Sequence, residues 1–68
     1  MECFYCQEEM EIATSDTELD HTLTVLRCED CGAKTEEYFE YDEKGRIVNV
    51  TYTDKTPEGQ ISMVTALV

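Results

Sequence analysis

Four cysteines stand as two matched pairs, Cys3-Phe4-Tyr5-Cys6 and Cys28-Glu29-Asp30-Cys31, with 21 residues between the pairs. A two-residue spacer lets each pair curl into a knuckle whose sulfurs face one point, and two knuckles complete a tetrahedral shell of four sulfurs. Cys3, Cys6, Cys28 and Cys31 are therefore the expected metal ligands, and Zn(2+) the expected cofactor. The same spacing also serves redox pairs, and four cysteines can form two disulfides. A redox pair needs a stabilised thiolate, yet Glu2, Glu8, Glu9, Glu29 and Asp30 flank these cysteines and are expected to raise their pKa values. No charged-then-apolar leader opens the sequence, so nothing points to an oxidising compartment. A cytoplasmic protein without membrane contact is expected.

His21 is the only histidine, and it invites promotion to ligand or base. Its neighbours Asp20 and Thr22 suggest an exposed hairpin tip instead, and the four-sulfur shell closes without it. A catalytic zinc keeps an open position, and no Ser-His-Asp or Cys-His grouping is present. No enzymatic activity is expected.

The elements that must position these cysteines read as β throughout. Met10 to Thr14 alternates after the first pair, Ser15 to His21 is polar and turn-like, and Thr22 to Arg27 runs into the second pair with strong β formers. After Gly32, the runs Lys34 to Tyr41 and Arg46 to Thr53 flank Asp42-Glu43-Lys44-Gly45, a type I turn closed by a left-handed Gly45. With Gly45 as the only bulge, Tyr41 faces Ile47, Phe39 faces Asn49 and Tyr38 faces Val50. Tyr38, Val48, Val50 and Tyr52 would then share one face, opposite Phe39, Tyr41 and Ile47. One face should meet the cysteine hairpin, leaving the other for a partner. Asp54 to Gly59 forms a second turn, and the apolar run Ile61 to Val68 is expected to complete the core or to seam a homodimer.

The expected architecture is small and all-β: a zinc ribbon with two Cys-x-x-Cys knuckles and a C-terminal hairpin and strand. Residues 1–68 form one domain, with the metal hairpin in 1–33 and the extension in 34–68. A chain of 68 residues with no Trp and two Phe builds a thin core, worth about 3–5 kcal/mol. A structural zinc contributes on the order of 10–16 kcal/mol of apparent binding energy, much of it folding energy. The fold is expected to depend on metal.

Charge bears on function. Residues 1–43 hold fourteen acids against Arg27 and Lys34, a net of −12, whereas residues 44–68 hold Asp54 and Glu58 against Lys44, Arg46 and Lys55, a net of +1. Four thiolates on a divalent ion add further negative charge. With so few cations, direct nucleic-acid binding is not expected, and a protein with a basic surface is the expected partner. Acids and aromatics interleave in Glu36, Glu37, Tyr38, Glu40, Tyr41, Asp42 and Glu43, which are the candidate partner-binding residues. One use of such a run is to imitate nucleic acid and inhibit a host or defence enzyme; others are a solvated face or adaptation to high salt.

The paired cysteines, the polar hairpin and Leu26-Arg27-Cys28-Glu29-Asp30-Cys31-Gly32 together resemble a zinc ribbon. More narrowly, residues 1 to about 41 look like the short N-terminal zinc modules of bacterial antitoxins and the zinc-finger microproteins of prokaryotes and phages. That resemblance implies Cys3, Cys6, Cys28 and Cys31 as ligands, and a prokaryotic cytosol or phage-infected cell as the setting. Charge and the missing catalytic grouping, rather than the resemblance, point to a non-enzymatic module that binds protein. Gln7 departs from the pattern, standing where ribbons often have Gly. The helix-turn-helix that makes such antitoxins DNA-binding is absent from the sequence. Rubredoxin, which holds iron on paired knuckles in a small acidic protein, supplies the electron-carrier alternative, without its Trp-containing core here.

Overall fold

The computed structural model describes residues 1–67. Five antiparallel strands run in chain order across one open sheet: Glu11–Thr17 (β1), His21–Arg27 (β2), Lys34–Tyr41 (β3), Ile47–Lys55 (β4) and Ile61–Leu67 (β5). There are no helices among the described residues. Each strand touches only its neighbours in this order, so no strand packs over another.

Turn chemistry sets this meander. Gly45 takes φ 79° and Gly59 φ 91°, conformations that disfavour residues with a Cβ. In both turns the glycine N–H donates back three residues, to the Asp42 carbonyl and the Thr56 carbonyl, each at 3.0 Å. Asp42 reinforces its turn, with Oδ1 accepting the N–H groups of Lys44 and Arg46 and Oδ2 accepting Arg46 Nε, all at 2.9 Å. The first hairpin closes more tightly than expected, because β1 continues through Ser15 to Thr17. Only Glu18 to Asp20 separate it from β2, and the Glu18 N–H donates to the His21 carbonyl at 2.8 Å.

The β3–β4 register differs from the sequence expectation. Tyr41 faces Ile47 as expected, but Glu40 faces Asn49, leaving Val48 as an extra residue in the ladder. Beyond that bulge every partner shifts by one, so Phe39 faces Val50 and Tyr38 faces Thr51. A one-residue slip exchanges the faces. Phe39, Val50 and Tyr52 therefore lie together, with Phe39 and Tyr52 edge to face at 6.4 Å, whereas Tyr38 lies on the opposite face.

The extension does not meet the cysteine hairpin face to face, as the sequence predicts; instead, β4 and β5 continue its sheet edge to edge. The buried apolar residues, Cys3, Met10, Leu26, Cys28 and Ala33, gather at one end of the sheet. β5 pairs with β4 but completes no core, since Ile61, Met63 and Leu67 are 64%, 65% and 86% exposed. Val68, the last residue of the expected strand, lies outside the described residues.

Candidate metal centre

The two knuckles share one backbone design. In the first, the Cys3 N–H donates to the Glu8 carbonyl at 2.7 Å, and the Gln7 N–H to the Cys3 carbonyl at 2.9 Å. In the second, the Cys28 N–H donates to the Ala33 carbonyl, and the Gly32 N–H to the Cys28 carbonyl, both at 2.9 Å. Closing such a loop requires a left-handed residue after the second cysteine. Gly32 supplies it with φ 84°, and Gln7 adopts the same region with φ 70°. The residue that departs from the ribbon pattern thus keeps the ribbon backbone, at a conformational cost.

The strands carry these knuckles to one point. β2 ends at Arg27, immediately before Cys28, and β3 begins at Lys34, after Ala33. The first knuckle is held by the Glu2–Glu9 bridge, the Met10 N–H donating to the Met1 carbonyl at 2.8 Å, and the terminal ammonium of Met1, which lies 2.7 Å from Glu9 Oε1. Leu26 and Met10, 5% and 4% exposed, pack beneath the cysteines with Ala33.

The four sulfurs lie within 4.8 Å of one another, with Cys3 and Cys31 at 3.6 Å and Cys6 and Cys28 at 3.4 Å. A tetrahedral ion with metal–sulfur bonds of ~2.3 Å requires sulfurs ~3.8 Å apart. The cluster is of that size. All four cysteines are free, which sets aside the disulfide alternative for this conformation. Four soft thiolate donors suit a transition metal of the zinc or iron kind. The chain thus carries a four-cysteine site able to hold a metal ion, as in a zinc-binding module.

Thiol acidity follows crowding and backbone dipoles rather than the flanking carboxylates. Burial is the largest influence on the Cys3 thiol and raises it, but the N–H groups of Cys6 and Tyr5 and the Cys31 and Cys6 thiols together draw the pKa down to about 7. The Tyr5 N–H lies 3.4 Å from Cys3 Sγ. The Glu8 N–H favours the Cys6 thiolate, yet burial and the neighbouring Cys28, Cys31 and Cys3 sulfurs push Cys6 up to about 12. Burial leads the rise at Cys31. Like charges this close cannot all form without a counter-charge, and a divalent cation at their centre would supply one. The expected general rise therefore fails at Cys3, where close amide and thiol donors favour the thiolate.

Two features around the site were not legible from the sequence. Tyr5, between the first two cysteines, donates its hydroxyl to Glu58 Oε1 at 2.7 Å, clipping the first knuckle to the β4–β5 turn. Arg27, Lys34 and Lys55 form one cross-strand row beside the second knuckle. Like charges placed opposite one another in a sheet are unfavourable by themselves. Here Arg27 meets Glu29 at 3.5 Å and Lys55 meets Glu36 at 2.9 Å, and the row flanks the four-cysteine centre.

The candidate partner-binding residues divide between surfaces. Glu36, Tyr38 and Glu40 share one face of β3, and Glu37 and Tyr41 the other, with the Tyr41 hydroxyl 2.7 Å from Thr22 Oγ1. Asp42 is engaged with Arg46, and Glu43 lies in the turn. His21 corrects the hairpin-tip expectation. It opens β2, faces Glu40, stacks on Tyr38 at 5.4 Å and holds Asp20 Oδ1 at 2.7 Å from its Nδ1.

No family model, curated protein or solved structure matches the chain.

Proposed function

We propose that this chain is a zinc-loaded, non-enzymatic module that binds a basic protein surface through one face of β1 to β3. Metal holds the end of the sheet and leaves the strands to present side chains. The observation that carries this reading is Tyr38, flanked by Glu36 and Glu40 on one face and stacked on His21, in a sheet with no second layer over it. Asp16 and Leu23 extend the same patch, since cross-strand partners share a face. An aromatic anchor flanked along its strand by Glu36 and Glu40 suits a basic cleft, where the ring contributes contact area and the charges steer encounter.

The −12 carried by residues 1–43 supports the narrower alternative of a nucleic-acid mimic occupying such a cleft. Capture by immobilised zinc-loaded protein, followed by competition with duplex DNA, tests both readings. A basic protein retained by native chain and by Glu37→Lys, but lost with Glu36→Lys/Glu40→Lys, is the expected result; release by DNA selects the mimic. Equal retention by both charge variants would remove this face from the proposal. Red absorbance and iron in the purified protein would instead favour electron transfer.

A further inference from the structure

We propose that β5 is a self-pairing edge: two copies join antiparallel through Ile61–Leu67 into one continuous ten-stranded sheet. This surface is distinct from the acidic face. Strand order places β1 and β5 at opposite edges, and the two differ sharply in charge. β1 carries Glu11 and Asp16 and leads to Glu18 and Asp20, whereas Ile61-Ser62-Met63-Val64-Thr65-Ala66-Leu67 has no charged residue. It also has no proline and no bulge against β4. Charges, prolines and bulges are the usual protections of an exposed edge, and this edge lacks all three. Two molecules of net charge −11 repel. Their least repulsive approach is through the segment from residue 44 onward, whose net charge is +1.

Hydrogen-bond phasing fixes which backbone groups are available. The Thr56 N–H donates to the Gln60 carbonyl, so these residues begin the β4–β5 ladder as a bonded pair. Alternation along an antiparallel pair then turns Ser62, Val64 and Ala66 toward β4, and Ile61, Met63, Thr65 and Leu67 outward. The register that overlaps the whole strand puts Val64 on the two-fold axis. Ile61 then meets Leu67 of the second copy, and Met63 meets its Thr65. About eight backbone hydrogen bonds form. The exposed apolar side chains Ile61, Met63, Val64 and Leu67 gain cross-strand neighbours in the same step. The axis stands perpendicular to the sheet, so both copies present the same face on the same side.

Sedimentation of the metal-loaded full chain over a rising concentration series tests this inference alongside amide exchange. Twice the monomer mass is expected, with slowed exchange at Met63 and Thr65. Met63→Lys adds an edge charge, and Met63→Pro removes an outward N–H that the monomer leaves unpaired. Both should restore monomer mass and fast exchange at Thr65 while keeping the β-sheet spectrum and bound metal. A wild-type chain that stays monomeric, or a dimer untouched by Met63→Lys, would overturn it. If Met63→Pro disrupts the fold, Met63→Lys carries the decision.

Discussion

Gln7 holds at the first knuckle the left-handed conformation that Gly32 holds at the second, at φ 70° and 84°. Each donates its N–H to the carbonyl of the cysteine four residues earlier at 2.9 Å. A residue with a Cβ pays for that conformation, and glycine does not. Gln7→Gly should therefore stabilise the metal-loaded protein by about 1 kcal/mol, and Gly32→Ala should cost a similar amount. Nothing lies within 4 Å of a Cβ built at Gly32, so the loss is conformational rather than steric. Urea unfolding at fixed free metal measures both.

Leu26 is the chief aliphatic support of the centre, 5% exposed and clustered with Met10, Ala33 and the cysteines. Leu26→Ala should cost roughly 2–5 kcal/mol and speed metal loss to a chelator, because the cavity lies beneath the ligands. Ile12→Ala, at a residue 66% exposed on the neighbouring strand, should change stability by less than about 0.5 kcal/mol. Similar costs for the two would show that the end cluster is not the core.

Asp42 should make the β3–β4 turn sensitive to acid. The Arg46 N–H leads the groups that hold its carboxyl below the ordinary aspartate range, joined by the Arg46 guanidinium and the Lys44 N–H. Since the folded pKa is depressed, its stabilisation is complete above the unfolded value of about 3.9 and is lost as pH falls through the folded value. A carboxyl carbon NMR titration should place the Asp42 midpoint below about 3.9. At neutral pH, Asp42→Ala should increase amide exchange at Gly45 and Arg46. A midpoint at or above the ordinary value would contradict the turn geometry.

The sequence carried much of this molecule. Spacing alone picked out the four cysteines that cluster, and strong β formers between Gly-containing turns located the strands, with β3 correct at both ends. What it could not carry was relational. The extra residue at Val48 has no composition of its own, yet it exchanges the faces of Tyr38 and Phe39 and divides the acidic run between two surfaces. The bond from Tyr5 to Glu58 spans 53 positions, and the row of Arg27, Lys34 and Lys55 exists only once register is fixed. Gln7 hid its left-handed role because side-chain type is only a statistical guide to φ. Thinness of the core was legible, but the single-layer arrangement was not, since hydrophobic alternation marks a face without naming what covers it.

X-ray absorption at the metal edge of the purified protein tests the central claim most directly. One ion per chain with four sulfur neighbours at about 2.3 Å is the predicted result. Nitrogen or oxygen in the first shell, or a folded chain with all four cysteines free and no bound ion, would contradict a fold built on the Cys3, Cys6, Cys28 and Cys31 centre.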